Sequence, residues 1–450
     1  MTELPRKAVA RTAKLAALPL GYAGRNALGL GKRLGGRPAE VVMSEIQQRT
    51  ADQLFRTLGE LKGGAMKFGQ TLSVLEAALP DELAAPYREH LTRLQDSAPP
   101  MPTQTVRDIL AAELGDDWRD QLVWLDGGPT ASASIGQVHQ GRWHDGREVA
   151  VKVQYPGAGD ALRSDLRQLS RLARTIAPLM PGMEVKPLVE ELQARAEDEL
   201  DYHLEAEAQA AFAAAFRDDP DFVVPDVVAV GSTVLVTEWV ESPASLASVI
   251  RHGTQAERDH YGELFARFLF AGPARAGLLH ADPHPGNFRV IPDDEGAPGR
   301  LAVLDYGAAA RLPGGMPEAM GRLIRIAIDA AREDLVEGLR EEGFIKDRVK
   351  VDPDLLLEYL APFVEPAAVD RFQFSRAWMQ QQFQRINDPD DPAYLIATRL
   401  NLPPSYLLIH RTWLGGVGVL SQLEAEAPFR QILIDHLPGF AEPDGPGDTA

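Results

Sequence analysis

The residues of this chain that could do chemistry together fall in three short stretches. His280-Ala281-Asp282-Pro283-His284-Pro285-Gly286-Asn287 offers a carboxylate and a carboxamide five positions apart. Leu301-Ala302-Val303-Leu304-Asp305-Tyr306-Gly307 brings a second carboxylate to the end of an apolar run, followed by an aromatic and a glycine. Val149-Ala150-Val151-Lys152 ends a short strand-like run on a cation. Phosphoryl transfer needs charge neutralised on the phosphates and the attacking and leaving oxygens held in line. One lysine, two metal-holding side chains and one proton acceptor meet those needs. Taken alone, Asp-Pro-His-Pro-Gly has a plainer explanation as a turn, because Pro and Gly set turn dihedrals.

The order and spacing of the three stretches decide between these alternatives. The step from Asp282 to Asn287 is that of the H-R-D-x-x-x-x-N loop of protein kinases, Asp305-Tyr306-Gly307 stands where D-F-G would, and Lys152 ends a V-A-I-K-like strand. In that scheme Asp282 receives or orients a hydroxyl or water proton, Asn287 and Asp305 hold Mg²⁺, and Lys152 holds the nucleotide phosphates. The elements that must position them follow. Residues 121–155 have strand character, with a hairpin turned at Asp145-Gly146. Ala131-Ser132-Ala133-Ser134-Ile135-Gly136-Gln137-Val138 precedes it as a small-residue nucleotide loop, matching G-x-G-x-x-G-x-V at Gly136 and Val138. Ala131 and Ala133 replace the first two glycines, which stiffens the loop and narrows the backbone's approach to phosphate. Val234–Val240 matches a hinge strand, with Glu238 and Val240 at the exit that meets adenine.

The chain has 450 residues, 45% hydrophobic and 25% charged, enough for a sizeable core in two or three domains or one two-lobed domain with extensions. A formal charge of −19 excludes a general nucleic-acid binder. Without cysteine there is no disulfide framework and no thiolate metal site, which fits a reducing, cytoplasmic setting. No apolar run reaches the roughly 18 residues of a membrane-spanning helix. Residues 1–39 form a basic arm in which Arg6, Lys7, Arg11, Lys14, Arg25, Lys32, Arg33 and Arg37 face Glu3 alone. The arm could lie peripherally on an anionic membrane or remain solvated.

Residues 40–120 are expected to be a helical extension, with Leu54, Leu58, Leu61, Ala65, Phe68, Leu72 and Leu75 as its apolar stripe. Lys67 and Gln70 share another face, and a helix over 104–114 is expected to start with Thr103 as its cap. Residues 121–241 are the smaller lobe with inserted helices, 242–440 the helical lobe, and 441–450 a disordered tail. The charged helical stretch 158–217 must supply a carboxylate for Lys152. Glu199, Asp201 and Glu205 are its candidates, against the plain alternative of a solvated acidic face. The fold class expected is α+β, two-lobed and protein-kinase-like.

The sequence resembles the UbiB/ADCK/AarF family of atypical kinase-like proteins over about residues 40–310. Lys67-Phe68-Gly69-Gln70 fits the family's K-x-G-Q, Ala131–His139 its Ala-rich loop, Glu199-Leu200-Asp201 its E-x-D, Glu205 its helix-C glutamate, and His280–Asn287 its H-x-D-P-H-P-G-N. The resemblance implies that the K-x-G-Q helices fold over the nucleotide cleft, where Lys67 and Gln70 gate it and Lys67 meets Glu199 and Asp201. It implies ATP and Mg²⁺ as cofactors. It also implies ATPase or small-molecule phosphotransferase activity supporting isoprenoid-quinone or other lipid metabolism. Two departures stand out: Tyr306 replaces the usual Phe, and the C-terminal transmembrane pair of some bacterial members is absent. Rival readings are a protein serine/threonine kinase, a nucleotide-binding scaffold without turnover, and a lipid carrier. The shortness of the segment after Gly307 argues against the first.

Overall fold

The computed structural model describes residues 100–133, 135–160, 162–164, 166–167, 185–387, 391 and 394–441. The basic arm, most of the helical extension with Lys67 and Gln70, Ser134 and the final tail lie outside these residues.

The chain enters through α1 (Thr103–Leu114), which begins after Pro102 with no side-chain cap. Thr103 is therefore the first helical residue and not the cap; its hydroxyl donates instead to the Gly127 carbonyl at 3.1 Å. Five strands then build most of one sheet: β1 (Leu122–Leu125), β2 (Ala131–Ala133), β3 (Gly136–Trp143) and β4 (Glu148–Gln154), with β7 (Val234–Glu238) arriving later. The order is β1-β3-β4-β7-β6, with β2 paired to β3, and β6 (Val227–Val230) at the far edge. Strand alternation in β4 sends Val149, Val151 and Val153 to one face, where they are fully buried against Val106 and Leu110 of α1. Ala150 and Lys152 necessarily point to the other.

Gly136 has a role the sequence does not reveal. It lies opposite Gln154 in the β3–β4 ladder, and a Cβ there would collide with the Val153 carbonyl. The glycine permits close pairing of strands as well as any approach of phosphate.

Behind that second face come α2 (Val185–Asp198) and α3 (Tyr202–Ala215). The expected helical stretch is broken at 199–201, because Asp201 is the N-cap of α3 and accepts from the His203 amide at 2.9 Å. The chain then dips into the lower lobe. β5 (Phe222–Val223) pairs parallel with β11 (Arg300–Val303), in a four-stranded sheet ordered β5-β11-β10-β8 with β10 (Phe288–Ile291) and β8 (Ala244–Ser245).

The lower lobe is built around α5 (Gln255–Ala276), which follows α4 (Leu246–His252). α5 begins in a reciprocal capping box between Thr254 and Glu257 and ends at Gly277 in the left-handed conformation. Its buried Tyr261, Phe265, Phe268 and Leu269 join Phe212 of α3 and Phe288 of β10 in the main core. β9 (Leu278–His280) pairs with β12 (Ala309–Arg311), closing the loop that carries Asp305. α6 (Glu318–Ile328), α7 (Arg332–Glu341), α8 (Pro353–Tyr359), α9 (Arg376–Asn387), α10 (Leu407–Leu423) and α11 (Phe429–His436) complete the lobe. No helix among the described residues is long and apolar enough to cross a membrane.

Candidate active site

A cavity of about 400 Å³ lies between the lobes. Ala131 and Val138 of the small-residue loop, Ala150 and Lys152 of β4, and Glu238 to Ser242 after β7 form its walls, with Gly286, Arg289 and Leu304 below. The volume and mixed lining suit a small-molecule ligand.

Lys152 is the electrostatic centre. Its ammonium donates to both Glu205 oxygens, at 2.7 and 3.0 Å, and lies 3.7 Å from Asp305 Oδ2. The Glu205 side chain is only 3% exposed. Burial by itself would lower the Lys152 pKa, but the Asp305 and Glu205 carboxylates outweigh it, so the ammonium is held protonated well above the ordinary lysine value. Its charge also faces the Tyr202 ring, 5.2 Å from the centroid, and burial pushes that phenol's pKa up. Two of the three acidic candidates are placed differently. Asp201 spends a carboxylate oxygen on capping α3, while Glu199 is buried just before it. Neither can be related to Lys67, which lies outside the described residues.

Asp282 and Asn287 come from the loop between β9 and β10. Asn287 Nδ2 donates to the Asp282 carbonyl at 3.3 Å, which ties the two ends of that loop together. His284 Nδ1 accepts from the Gly286 amide at 3.2 Å, fixing the turn. The amide of Leu304 donates to the Asn287 carbonyl at 3.0 Å, so the β10–β11 pairing sets Asn287 beside Asp305. Asp305 in turn accepts from the Gly307 amide at 3.0 Å.

His280 holds the Asp305 backbone from beneath, its Nε2 lying 2.6 Å from the Asp305 carbonyl. A carbonyl only accepts, so Nε2 carries the proton. Burial lowers the His280 pKa, which keeps the ring neutral. Tyr306 packs against His280 and Phe212, with centroids 5.5 and 5.1 Å apart. Its hydroxyl finds the Val303 carbonyl at 3.3 Å, so the change from Phe leaves no orphaned donor.

Three further residues of the site carried no sequence signal. Arg411 of α10 brings a guanidinium 3.8 Å from Asp282 Oδ1. Arg289, two positions after Asn287, alternates with buried Phe288 and Val290, so it lines the cavity floor, where Nη2 donates to the Ser242 carbonyl at 3.0 Å. Gln209, one turn after Glu205, lines the cavity while Nε2 donates to the Pro225 carbonyl at 2.7 Å; its Oε1 is buried without a partner among the described residues.

No group of three or more His, Cys, Asp and Glu side chains that could cage a metal occurs among the described residues. Asn287 and Asp305 provide one carboxamide oxygen and one carboxylate. Such sparse, hard oxygen donors suit Mg²⁺, which usually keeps its waters and takes the rest of its shell from phosphate.

The ABC1 atypical kinase-like domain matches residues 93–338. The chain is 29% identical over 439 residues to the Caenorhabditis elegans protein "Atypical kinase coq-8, mitochondrial", covering 94% of this chain and 56% of that one. It is 27% identical over 394 residues to the rat protein "Atypical kinase COQ8B, mitochondrial", covering 87% of this chain and 72% of that one. Among solved structures, a Mycobacterium tuberculosis protein in complex with erythromycin is similar at 43% identity and a TM-score of 0.64, over 90% of this chain and all of that one. The chain thus spans little more than half of the nematode relative. Since the matched domain covers more than half of the 450 residues, the chain belongs to the ABC1 atypical kinase-like family of UbiB, ADCK and AarF proteins, with the family's two-lobed kinase-like fold.

Proposed function

We propose that the chain binds ATP with Mg²⁺ in the inter-lobe cavity and transfers the terminal phosphoryl group to water or to a small-molecule acceptor. The observation that carries this is Lys152 set between Glu205 and Asp305 inside a cavity also lined by the hinge segment. Lys152 neutralises phosphate charge, and Glu205 orients it. Asn287 and Asp305 hold the metal, which supplies further neutralisation of charge on the phosphates. Asp282 orients the attacking hydroxyl or water and takes its proton, while Ala131, Ser132, Ala133, Ser134, Gly136 and Val138 cover the phosphates. Glu238 and Val240 flank the base. Lys67 and Gln70 gate the cleft, with Glu199 and Asp201 as partners.

A small acceptor is favoured over a protein chain because only ten residues, 308–317, lie between Gly307 and α6, and three of them form β12 and pair with β9. That leaves little platform for a peptide. The family resemblance and the relatives named COQ8 support an acceptor or activator in isoprenoid-quinone or other lipid metabolism, and the charge of the basic arm supports meeting it at an anionic membrane surface.

The test is phosphate release from Mg-ATP, with and without anionic liposomes, in the full chain and in Asp282→Asn. Turnover that rises with liposomes and vanishes in the variant supports a membrane-stimulated enzyme. Nucleotide binding without turnover in either protein would replace it with a scaffold.

A further inference from the structure

A second cavity, of about 220 Å³, lies in the helical lobe and shares no lining residue with the inter-lobe cavity. α6 and α7 wall one side with Leu323, Ala327 and Leu339, and α10 walls the other with Ile409 and His410. It marks a seam between two hydrophobic clusters. Leu323, Ala327 and Leu339 belong to a small satellite cluster, whereas Ile324 and Ile409 belong to the main core. The cavity opens to solvent between the two clusters, an apolar recess of the kind that takes small molecules.

Its chemistry narrows the occupant. No Lys, Arg, Asp or Glu lines it. Asn401 already donates to the Gly343 carbonyl at 3.0 Å, and the Tyr406 hydroxyl to Glu342 at 2.8 Å. Beyond these two, the polar side chains of the wall are the Tyr359 hydroxyl and the His410 ring, and the other lining residues are apolar, while apolar cavities of comparable size take up apolar molecules. The His410 ring, facing Phe363 at 5.7 Å between centroids, and the Tyr359 hydroxyl are the polar groups that can meet a guest. A carboxylate, phosphate or ammonium would be desolvated there with no counter-charge.

We propose that this cavity is a binding site for an uncharged lipophilic small molecule with one hydrogen-bonding end, such as a hydroxyl, and an apolar body of one or two rings or a medium alkyl chain. The proposal is independent of the phosphoryl-transfer reading.

The experiment is a fluorescence titration of the full chain with N-phenyl-1-naphthylamine, a neutral lipophilic probe, followed by displacement with 1-decanol or decanoate at neutral pH. Ala327→Leu adds carbon to the cavity wall from α6, and Leu339→Phe does so from α7. Saturable binding is expected, weakened by about tenfold or more in either variant that keeps a wild-type melting transition. Decanol should displace the probe at about tenfold lower concentration than decanoate. Unchanged probe affinity in a folded filling variant would overturn the site. Equal displacement by decanoate would overturn the neutral class of ligand. Should one variant not fold, the other and the alcohol-to-acid ratio still decide.

Discussion

Replacing Glu205 by Gln keeps the shape of the cleft and removes the nearer of the two carboxylates around Lys152. Lys152 would then lean on Asp305, 3.7 Å away, and compete with the metal for it. We expect Glu205→Gln to lower phosphate release by about 10- to 100-fold with a smaller loss of Mg-ATP affinity by calorimetry. An unchanged rate would mean that the pair is structural. The lysine itself should not titrate in ordinary assays. Its folded-state pKa is raised above the 10.5 of an unfolded lysine, so its contribution to stability is fully present below that value and is lost only as pH climbs through the higher folded value. A denaturant-melt comparison of wild type with Lys152→Met should accordingly show a difference that is flat from neutral to mildly alkaline pH. At this scale the sequence was legible where a side chain's place follows from its own element. Lys152 opposes Val151 by strand alternation, and Asn287 and Asp305 follow from the hairpin between them. Arg411 and Gln209 were not, because what brings them to the site is the packing of α10 and α3 against distant parts of the chain.

The elements show where local signals and tertiary structure agree. The apolar spacing of Tyr261, Leu264, Phe265, Phe268 and Leu269 marks α5 in the sequence, and the capping box between Thr254 and Glu257 sets its start at Gln255. The capping role of Asp201 is not legible in the sequence, because an N-cap is recognised only once the helix start is known and the charged run before it obscures that start. α10 carries a measurable consequence. Burial pushes His410 down to about 4, whereas an unfolded histidine titrates near 6.5. Between those values the unfolded chain binds a proton that the folded chain refuses. Stability is therefore intact above the upper value and falls as pH drops toward the lower, by on the order of 3 kcal/mol. His410→Phe should remove that part of the slope in urea melts across this window. A slope equal to wild type would show that His410 charges freely in the folded protein.

For the molecule as a whole, the two lobes meet at the cleft, and the charge distribution separates a strongly acidic chain from a basic amino-terminal arm. If the arm carries the enzyme to anionic lipid, deletion of residues 1–37 should abolish co-flotation with anionic liposomes while leaving the melting transition in place, and added salt should imitate the deletion. Flotation that survives the deletion would put membrane contact elsewhere. The K-x-G-Q residues belong to this scale as well, since Lys67 and Gln70 fall outside the described residues, and their gating role rests on the family pattern.

α10 also joins two places that have been treated apart. His410 stands in the wall of the apolar cavity, and the next residue, Arg411, reaches to 3.8 Å from Asp282. Neighbouring positions on a helix project about 100° apart, so one rigid rod reports to both sites. Thermodynamics then imposes a symmetry. Whatever factor a cavity guest imposes on the affinity for Mg-ATP, Mg-ATP must impose on the guest. Titrating N-phenyl-1-naphthylamine with and without saturating nucleotide, and nucleotide with and without probe, should return the same factor, and Arg411→Ala should draw it toward one.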